Sequence, residues 1–457
     1  MSTPNAGYPY LDNTKADHRL VGGIALMNPF MDHVSSQRGM MLSNHIPQAQ
    51  VLRGSEPPRI FSGYESQVGQ YEVNGTKRDQ DIYVLDSIPR FEINAGAHPL
   101  SYNPSCMVIY TGADDGKIGC FEVKKFTMIM DDFGYTNKLS NSRLISPGNL
   151  ITKDTILSTS PSHKGNRYCM GTNLHCAYMS LPHVTEDAFI ISESAAQKMY
   201  TEGFRTVSID IKRDQIPVNL YGNDEDYKFF PDIGEEVNED GIICALRRPT
   251  PDSLIFDMNE KNLSSVYRLH DNVFYAPKGA VIVDVDVHIN RKSQYSKTLE
   301  PMFAQAERYR AQISNYYKKI WERFQEITKF TRVAEDASKI TPEFSSVVSK
   351  AVSELMIDGI KFRGFSHKAS VIPVKKKEPI EFMRITLTYR YERRPKLGYK
   401  ISGRYGNKGV ISKIIPDEEM PVDEYGMRAE IIGDPISVFN RMDSCLHSGN
   451  GVSNNFF

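Results

Sequence analysis

The sequence predicts an α+β protein that is mainly β, and three observations support this fold class. Residues 1–205 contain short apolar runs separated by Gly, Pro, Asn and Asp, which is typical of strands joined by turns. Residues 302–359 carry the apolar spacing of paired helices, and from residue 380 the alternation of a strand returns in FMRITLTYRYERR. Because 457 residues exceed what one hydrophobic core usually supports, we expect two or three domains.

The clearest strand signal of the first half is the segment CMVIYTGADDGKIGCFEV, where Asp-Gly separates two alternating runs and predicts a β-hairpin. Its centre, GADDGK, resembles a phosphate-binding loop. It is one residue short of the pattern G-x-x-x-x-G-K and has Ile118 where Ser or Thr must bind magnesium. We therefore interpret residues 112–117 as the turn of the hairpin.

The middle of the chain opens with a strand signal, TVSIDI, and then becomes helical. Eight apolar residues recur at alternating spacings of four and three, which is the seam of a coiled coil. They are Met302, Ala306, Tyr309, Ile313, Tyr316, Ile320, Phe324 and Ile327. A second helical segment, residues 345–359, follows Pro342, so we expect an antiparallel helical hairpin that projects from a β module.

A strand before this hairpin, GAVIVDVDVHIN, places Asp284, Asp286 and His288 on one face and valines on the other. Three potential ligands on one face suggest a metal site. A half-buried strand that shows its polar side to water explains the alternation equally well. We favour the second interpretation, because no second element supplies further ligands.

Composition is that of a globular protein, with 40% hydrophobic and 24% charged residues. The six cysteines show no C-x-x-C spacing, and neither a signal peptide nor a membrane span is recognisable, so we expect reduced thiols and a cytoplasmic protein. Net charge is only -1, yet residues 375–413 hold twelve Lys or Arg against three Glu. Such a cluster indicates a phosphate-binding surface or, alternatively, a solvated basic face.

The most informative stretch begins KLGYKISGRYGNKGV, in which glycines 398, 403, 406 and 409 alternate with Lys400, Arg404, Asn407 and Lys408. Glycine lets a backbone approach a ligand closely, and long cations reach phosphate oxygens. The pattern suits a loop held against a polyphosphate or a nucleic-acid backbone. A flexible basic surface loop is the alternative.

This stretch resembles the signature of the second-largest, β-type subunit of multi-subunit RNA polymerases, G-D-K-x-x-G-R-H-G-N-K-G-V-I-S-K followed by M-P-x-D-x-x-G. Tyr399 replaces the Asp of the signature, and Tyr405 replaces the His. Residues 20–51 are similar to the segment of that family that lines the RNA:DNA hybrid channel. Residues 182–203 are similar to its G-Y-N-F-E-D-A-I-V-I-S-E segment, and the three segments occur in the family's order.

The resemblance implies roles for individual residues. Lys400 and Lys408 would contact phosphates near the RNA 3′ end, Arg404 would support their loop, and Arg441 would touch the triphosphate; these four are the expected catalytic set. Glu186 and Asp187 would lie near the second magnesium and the incoming nucleotide. They could instead be entry charges of a helix that begins at Ser192 and Glu193. The expected lining of the hybrid channel is Asp32, Arg38, Asn44 and Gln48.

For the fold, the resemblance implies a double-psi β-barrel of the RNA polymerase β type, interrupted by a flap domain with the helical hairpin. Residues 1–205 would form the hybrid-binding region and the first part of the barrel, residues 206–378 the flap, and residues 379–457 the remainder. Segments 170–205 and 380–435 would fold together across the flap. We expect the last residues, HSGNGVSNNFF, to be unstructured, and the chain to be the C-terminal portion of a split β subunit of the kind found in giant bacteriophages.

The cluster of aspartates with which such polymerases hold Mg²⁺ does not occur in this sequence. The resemblance therefore implies RNA synthesis only in complex with a β′-like subunit that holds the magnesium. Other expected partners are an N-terminal β-like fragment, a promoter-specificity factor, template DNA, transcript RNA and nucleoside triphosphates, in the host cytoplasm or a virion and without a membrane. Two alternatives stay open: a non-catalytic nucleic-acid-binding or virion structural protein on a β-like scaffold, and a phosphohydrolase, which the defective phosphate loop disfavours.

Overall fold

The computed structural model describes residues 22–29, 31, 34–72, 80–92, 103–165, 167–223, 225–248, 264–267, 270–290, 297–331, 339–360, 380–440 and 455–456. The α-helices of these residues are α1 Ser36–His45, α2 Glu65–Glu72, α3 Glu193–Lys198, α4 Ala304–Thr331, α5 Pro342–Ile357 and α6 Pro435–Asn440. Short 3₁₀ helices are Ala25–Met27, Ile46–Gln48, Ser142–Ile145, Lys297–Phe303 and Asp417–Glu419. The strands are β1 Ile82–Pro89, β2 Ser105–Gly112, β3 Ile118–Lys124, β4 Phe126–Met130, β5 Phe133–Thr136, β6 Lys138–Leu139, β7 Leu150–Ile151, β8 Ser158–Thr159, β9 His163–Lys164, β10 Arg167–Tyr168, β11 Thr172–Asn173, β12 Cys176–Tyr178, β13 Ala188–Ser192, β14 Thr201–Ile211, β15 Ile216–Pro217, β16 Ile242–Arg247, β17 Asn272–Tyr275, β18 Val281–Ile289, β19 Met383–Arg393, β20 Lys400–Ile401, β21 Gly409–Ile415, β22 Ile431–Gly433 and β23 Asn455–Phe456. The predicted fold class, mainly β with some helices, is confirmed.

The N-terminal sheet has the strand order β3-β2-β1-β7. Its strands β2 and β3 are antiparallel and close at Thr111 and Ile118, around the turn that the Asp-Gly dipeptide predicted. Gly116 adopts a positive φ of 63°, and the carboxylate of Asp115 accepts the backbone N–H of Lys117 at 3.0 Å. A phosphate-binding loop joins a strand to a helix, whereas this turn joins two antiparallel strands, so the turn interpretation holds.

The longest strands, β14 and β19, organise a second sheet of order β18-β19-β14-β5-β4. They pair without interruption from Thr201 opposite Arg393 to Ile211 opposite Met383. The chain therefore leaves the β14–β19 pair at Ile211 and rejoins it at Met383, directly across the ladder. Residues 212–382 are thus inserted between the two strands, and their own strand β18 pairs with β19 in the same sheet, from Val281 opposite Arg390 to Ile289 opposite Met383. Strand β14 runs continuously through residue 206.

Helices α4 and α5 form the predicted antiparallel hairpin. Arg310 near the start of α4 contacts Asp358 just after α5, while Phe324 near its end packs on Phe344 with ring centroids 5.7 Å apart. Pro342 opens α5, and the Thr341 hydroxyl caps it by accepting the N–H of Phe344 at 3.4 Å. The start of the second helix therefore follows from local sequence.

The predicted seam of α4 is buried, but the expectation that the hairpin projects from a β module is wrong. Seven of the eight seam residues are buried, and Phe324 is partly buried. Seven of the eight share one core with Ile109 and Cys120 of the N-terminal sheet and with Val287 of β18, whereas Met302 packs in a separate cluster with Ile216. Burial of each large apolar side chain contributes roughly 1.5–3 kcal/mol, so the seam is stabilised by packing on both sheets instead of extending into solvent.

The polar face of β18 lies against a cation. The Arg90 guanidinium is 3.4 Å from Asp284 and 3.7 Å from Asp286. Burial raises the pKa of Asp284 to about 6. Burial also acts to raise the pKa of Asp286, but His288, Arg90 and Arg310 together hold that pKa at about 2. Asp284, Asp286 and His288 are each partly buried, so the half-buried strand is confirmed, with Arg90 as an additional contact of its polar face. Over the described part of the chain, no group of three or more His, Cys, Asp or Glu could hold a metal ion.

A third sheet has the order β12-β22-β13-β21-β20 and mixes parallel and antiparallel pairs. Strand β13 is parallel to β21 and antiparallel to β22. Segments 170–205 and 380–435 therefore do fold together, in this sheet and in the β14–β19 pair. The core beneath β13 and β21 includes Phe189, Ile191 and Ile411.

The C-terminal residues differ in part from the expectation. Asn455–Phe456 pair with Thr172–Asn173, and Phe456 is 1% exposed. Its ring packs against Phe189 with centroids 5.9 Å apart. The apolar pair of residues at the end of this segment was the signal that sequence reasoning passed over; residues 441–454 lie outside the described part.

The described cysteines and helices bear on two further expectations, reduced thiols and the lack of a membrane span. Cys106, Cys120, Cys169, Cys176 and Cys244 are free thiols, as predicted, and Cys445 lies outside the described part. None of the helices in the described segments is long and apolar enough to cross a membrane.

Candidate functional site

Four predicted site residues lie together where strands β13, β20 and β21 of the third sheet begin, at the boundary that is called the edge below. Strands β13 and β21 are parallel, with Ala188 opposite Val410, so the residues that precede both strands lie side by side. The Val410 N–H donates to the Asp187 carbonyl at 2.7 Å. Lys400 pairs with Val410 from the other side. The edge therefore carries Lys400, Lys408, Glu186 and Asp187.

Glycines make the close packing at this edge possible. A Cβ on Gly409 would lie 2.4 Å from the Asp187 carbonyl oxygen and 2.4 Å from the Phe189 ring. Gly406 has a φ of 71°, and a Cβ there would lie 3.0 Å from the Arg38 carbonyl oxygen. Gly406 is favoured because its backbone is left-handed, and Gly409 because another segment approaches too closely for a side chain.

The basic loop, residues 402–408, packs on α1 and the turn that follows it. Arg38 donates to the Gly406 carbonyl at 2.9 Å, and Lys408 donates to Gln48 at 3.4 Å. A hydrogen bond of 3.1 Å joins His45 to Ser402. Two motifs that are more than 350 residues apart in sequence therefore form one surface.

The remaining predicted residues occupy different situations. Asn44 is exposed on α1 next to His45, and Asp32 and Arg441 lie outside the described residues. Arg404 is 7% exposed, donates to the Ile60 carbonyl at 3.0 Å and lies 3.9 Å from Glu65. This burial suits a residue that holds the loop in place, not one that reaches a ligand.

The two carboxylates are not entry charges of a helix, so that alternative is wrong. Helix α3 begins at Glu193, after the whole of β13, and Ser192 caps it by accepting the Ala195 N–H at 3.1 Å. Glu186 and Asp187 stand at the opposite end of that strand and are exposed. Glu186 has a positive φ of 52°, and its N–H donates to Asp434 at 3.0 Å. A non-glycine residue in this region is strained and is held there by its surroundings.

The basic stretch carries less free charge than its composition indicates. Lys375, Lys376 and Lys377 lie outside the described residues. Four other cations of the stretch pair with carboxylates. These pairs are Arg384 with Asp210, Arg390 with Glu202, Arg394 with Glu392, and Arg404 with Glu65. The cations of the described stretch that have no carboxylate partner among the described residues are Arg393, Lys396, Lys400, Lys408 and Lys413, so the basic surface is less dense than composition indicates.

A cavity of about 220 Å³ opens beside the loop. Its lining includes His45, Gln50, Thr201, Arg393, Lys400 and Lys408. Its volume would hold roughly seven waters at the liquid share of about 30 Å³ each, enough for one phosphate group. Sequence reasoning counted Arg393 in the basic stretch but did not assign it, His45, Gln50 or Thr201 to a site.

The pKa of His45 reflects the positive charge around the basic loop. Burial lowers the pKa of His45, and the neighbouring charges of Lys408 and Arg38 lower it further. The imidazole is therefore neutral at pH 7 and leaves the positive charge on its neighbours. Arg38 and His45 are seven residues apart on α1 and so share one helix face, which is the signal that could have identified His45.

The family model for RNA polymerase Rpb2, domain 6, matches residues 24–445. The chain belongs to this family. The resemblance drawn from segments 20–51 and 182–203 and the glycine-rich stretch is thereby confirmed.

The curated relatives agree with membership in the Rpb2 domain 6 family. The chain is 24% identical to the DNA-directed RNA polymerase subunit beta of Lawsonia intracellularis, over 93% of this chain and 34% of the relative. It is 24% identical to that of Chlamydia felis, over 93% and 37%, and 21% identical to that of Sorangium cellulosum, over 94% and 34%. The chain thus spans about a third of the length of the curated relatives it matches.

Proposed function

We propose that this chain forms one wall of the active centre of a multi-subunit, DNA-directed RNA polymerase, where it contacts the RNA:DNA hybrid and the incoming nucleotide. The observation that carries the proposal is the single edge on which Lys400 and Lys408 stand beside Glu186 and Asp187. The reaction is inferred from the names of the relatives. The cavity beside the loop, which Arg393, Lys400 and Lys408 line, offers a positively charged space for a phosphate group.

The role of the cations is electrostatic. Negative charge accumulates on phosphate oxygens during nucleotidyl transfer, and cations fixed in place stabilise it without reorganisation. The bond from Lys408 to Gln48 and the packing of Gly406 on α1 hold the loop before a ligand arrives. Lys400 and Lys408 would bind the phosphate backbone of the transcript, and Arg404 would hold their loop in place.

Magnesium would be held mainly by a partner. Two exposed carboxylates at the edge do not form a complete metal site, and the described residues contain no larger group of ligands. We propose that a β′-like subunit contributes the aspartates that bind the catalytic Mg²⁺ ions, with Glu186 and Asp187 facing them. The metal would lower the charge on the attacking hydroxyl and the leaving pyrophosphate.

The same proposal extends to architecture and partners. The third sheet would be the core of a double-psi β-barrel, residues 206–378 a flap, and residues 1–205 and 379–457 the hybrid-binding and barrel regions. The chain would act as the C-terminal portion of a split β subunit of bacteriophage type. Its partners would be an N-terminal β-like fragment, the β′-like subunit and a promoter-specificity factor.

The test is Lys408→Ala in the assembled enzyme. Loss of a fixed cation beside the reacting phosphates should lower the elongation rate by roughly a hundredfold, with unchanged recovery of the partner subunits. Lys153→Ala is the matched control, because Lys153 is exposed on a turn near the N-terminal sheet. Elongation by Lys408→Ala at the rate of the unmodified enzyme would contradict the proposal.

The alternative is a non-catalytic nucleic-acid-binding or virion structural protein. Its appeal is that the basic loop alone can bind phosphates in the absence of any catalytic partner. It predicts salt-sensitive binding of DNA by the isolated chain and a purified particle without a second subunit that carries clustered aspartates. Template-directed RNA synthesis by the purified complex decides between the two functions.

A further inference from the structure

The hairpin Pro416–Ala429 exposes apolar side chains on a rigid frame. Tyr425 is 83% exposed, Val422 51% and Met427 48%. Surface apolar residues are common singly, but three large ones within six residues form a patch of the kind that partner proteins cover. The hairpin follows the last residue of β21, so seven residues of strand, roughly 20 Å, separate it from Lys408.

The frame of this hairpin is well ordered by hydrogen bonds. The Asp423 carboxylate accepts the N–H groups of Tyr425 at 2.9 Å and Met427 at 2.8 Å, and the Asp423 N–H donates to the Met427 carbonyl at 2.9 Å. At the base, Arg428 donates to the carbonyls of Asp417 and Glu418 at 3.1 and 3.0 Å. The apolar side chains are therefore displayed in a fixed arrangement and do not belong to a loose loop.

The base of the hairpin belongs to the core. Met420 is 3% exposed and Ala429 is 9% exposed, and both pack in one cluster with Ile190 and Ile432 of the site-bearing sheet. The Asp417 carboxylate also accepts the Ser194 N–H at 3.1 Å. A partner that grips the tip would therefore be fixed rigidly to the sheet that carries Lys408.

The charge around the apolar patch decides the kind of partner. Residues 417–428 contain five carboxylates and one Arg. Asp417 and Asp423 are used within the hairpin, while Glu418, Glu419 and Glu424 are exposed and have no ion-pair partner among the residues described. Such a surface repels nucleic-acid phosphates and complements Lys and Arg.

We propose that the hairpin docks a separate polypeptide chain, in a pocket that is apolar at its centre and bordered by Lys and Arg. Tyr425 would fill the pocket as the central anchor, with Val422 and Met427 at its sides, and Glu418 and Glu424 would pair with the cations of the border. The contact is distinct from the phosphate-binding edge, because it lies at the other end of β21. The docking proposal depends on the proposed function only because its test requires an assembled enzyme.

The experiment replaces Tyr425 with the photoreactive residue p-benzoylphenylalanine in the assembled enzyme, with Tyr275 replaced in the same way as the matched control. Tyr275 is 52% exposed on β17. We expect irradiation to join residue 425 to one other polypeptide, at a peptide that contains Lys or Arg. Crosslinking to a second copy of this chain or to nucleic acid overturns the proposal.

Two sets of variants test affinity and charge separately. Tyr425→Ser should weaken association with the crosslinked chain by roughly thirtyfold, as for a central interface tyrosine, with an unchanged melting temperature. Glu418→Lys with Glu424→Lys should weaken it by about tenfold, whereas Glu225→Lys with Glu239→Lys, on other exposed acids, should not. Equal effects of the two charge reversals overturn the charge argument and with it the proposal.

Failure of this inference can be told apart from failure of the proposed function. An enzyme that elongates RNA but gives no polypeptide crosslink at residue 425 overturns the docking proposal alone. A chain that purifies without any second subunit, and without RNA synthesis, overturns both.

Discussion

Replacement of Gly409 by Ala is the sharpest test of how the candidate site is built. The added Cβ would lie 2.4 Å from the Asp187 carbonyl oxygen and 2.4 Å from a carbon of the Phe189 ring. Both neighbours are constrained, because the carbonyl is backbone and the ring is buried. Strands β13 and β21 must therefore move apart where Gly409 faces Asp187.

The magnitude follows from two costs. Overpacking of a well-packed site costs about 1–3 kcal/mol. Separation of the strands also weakens the hydrogen bond from the Val410 N–H to the Asp187 carbonyl, now 2.7 Å long, and such a bond contributes about 0.5–1.5 kcal/mol. We expect the Gly409→Ala chain to lose roughly 2–4 kcal/mol of its free energy of unfolding.

The assay combines urea unfolding followed by circular dichroism with hydrogen exchange of the peptide that contains Val410. Gly54→Ala is the control, because a Cβ there would meet only the Lys198 carbonyl oxygen at an ordinary 3.6 Å. The control should change stability by less than about 1 kcal/mol. An unchanged unfolding midpoint for Gly409→Ala, with unchanged protection of the Val410 amide, would refute the close approach of the two strands.

Two further predictions concern buried charge. Arg310 is 1% exposed and pairs with Asp358 and Glu354, so Arg310→Met should cost roughly 3–5 kcal/mol in urea unfolding because two carboxylates lose their partner; Lys318→Ala, at an exposed pair, should change less than about 0.5 kcal/mol. Lys408→Ala should raise the pKa of His45, measured by NMR titration, because one of the charges that lowers it is removed. Because folding lowers the pKa of His45, the unfolded chain binds a proton more readily than the folded protein does. The free energy of unfolding should therefore fall as the pH drops below the unfolded pKa of about 6.5. Lys408→Ala should make this loss of stability smaller.

Some features could be predicted because local pattern fixes them. Asp-Gly between alternating runs specifies the turn at residues 112–117, and alternating spacings of four and three specify the buried face of α4. Neither pattern states what the buried face meets. The seam therefore predicted a hairpin correctly but not its packing on Ile109 and Val287.

The charges of the site show the same limit. Counting residues 375–413 indicated a dense basic surface, but Glu202 and Asp210 neutralise Arg390 and Arg384 from a strand about 180 residues earlier. Pairing between distant strands cannot be read from composition. His45 escaped attention for the same reason, because its importance comes from Lys408 across the fold.

The insertion at residues 212–382 connects these observations. It joins the β14–β19 ladder at Ile211 and Met383, whereas the cavity lies beside the other end, at Thr201 and Arg393. The insertion is not confined to the far end, because its strand β18 pairs with β19 from Ile289 opposite Met383 back to Val281 opposite Arg390, three residues before the cavity-lining Arg393. Removal of the insertion would also expose a shared core, because α4 covers Ile109 of the N-terminal sheet. The insertion therefore approaches the cavity through β18 and is part of the same folding unit.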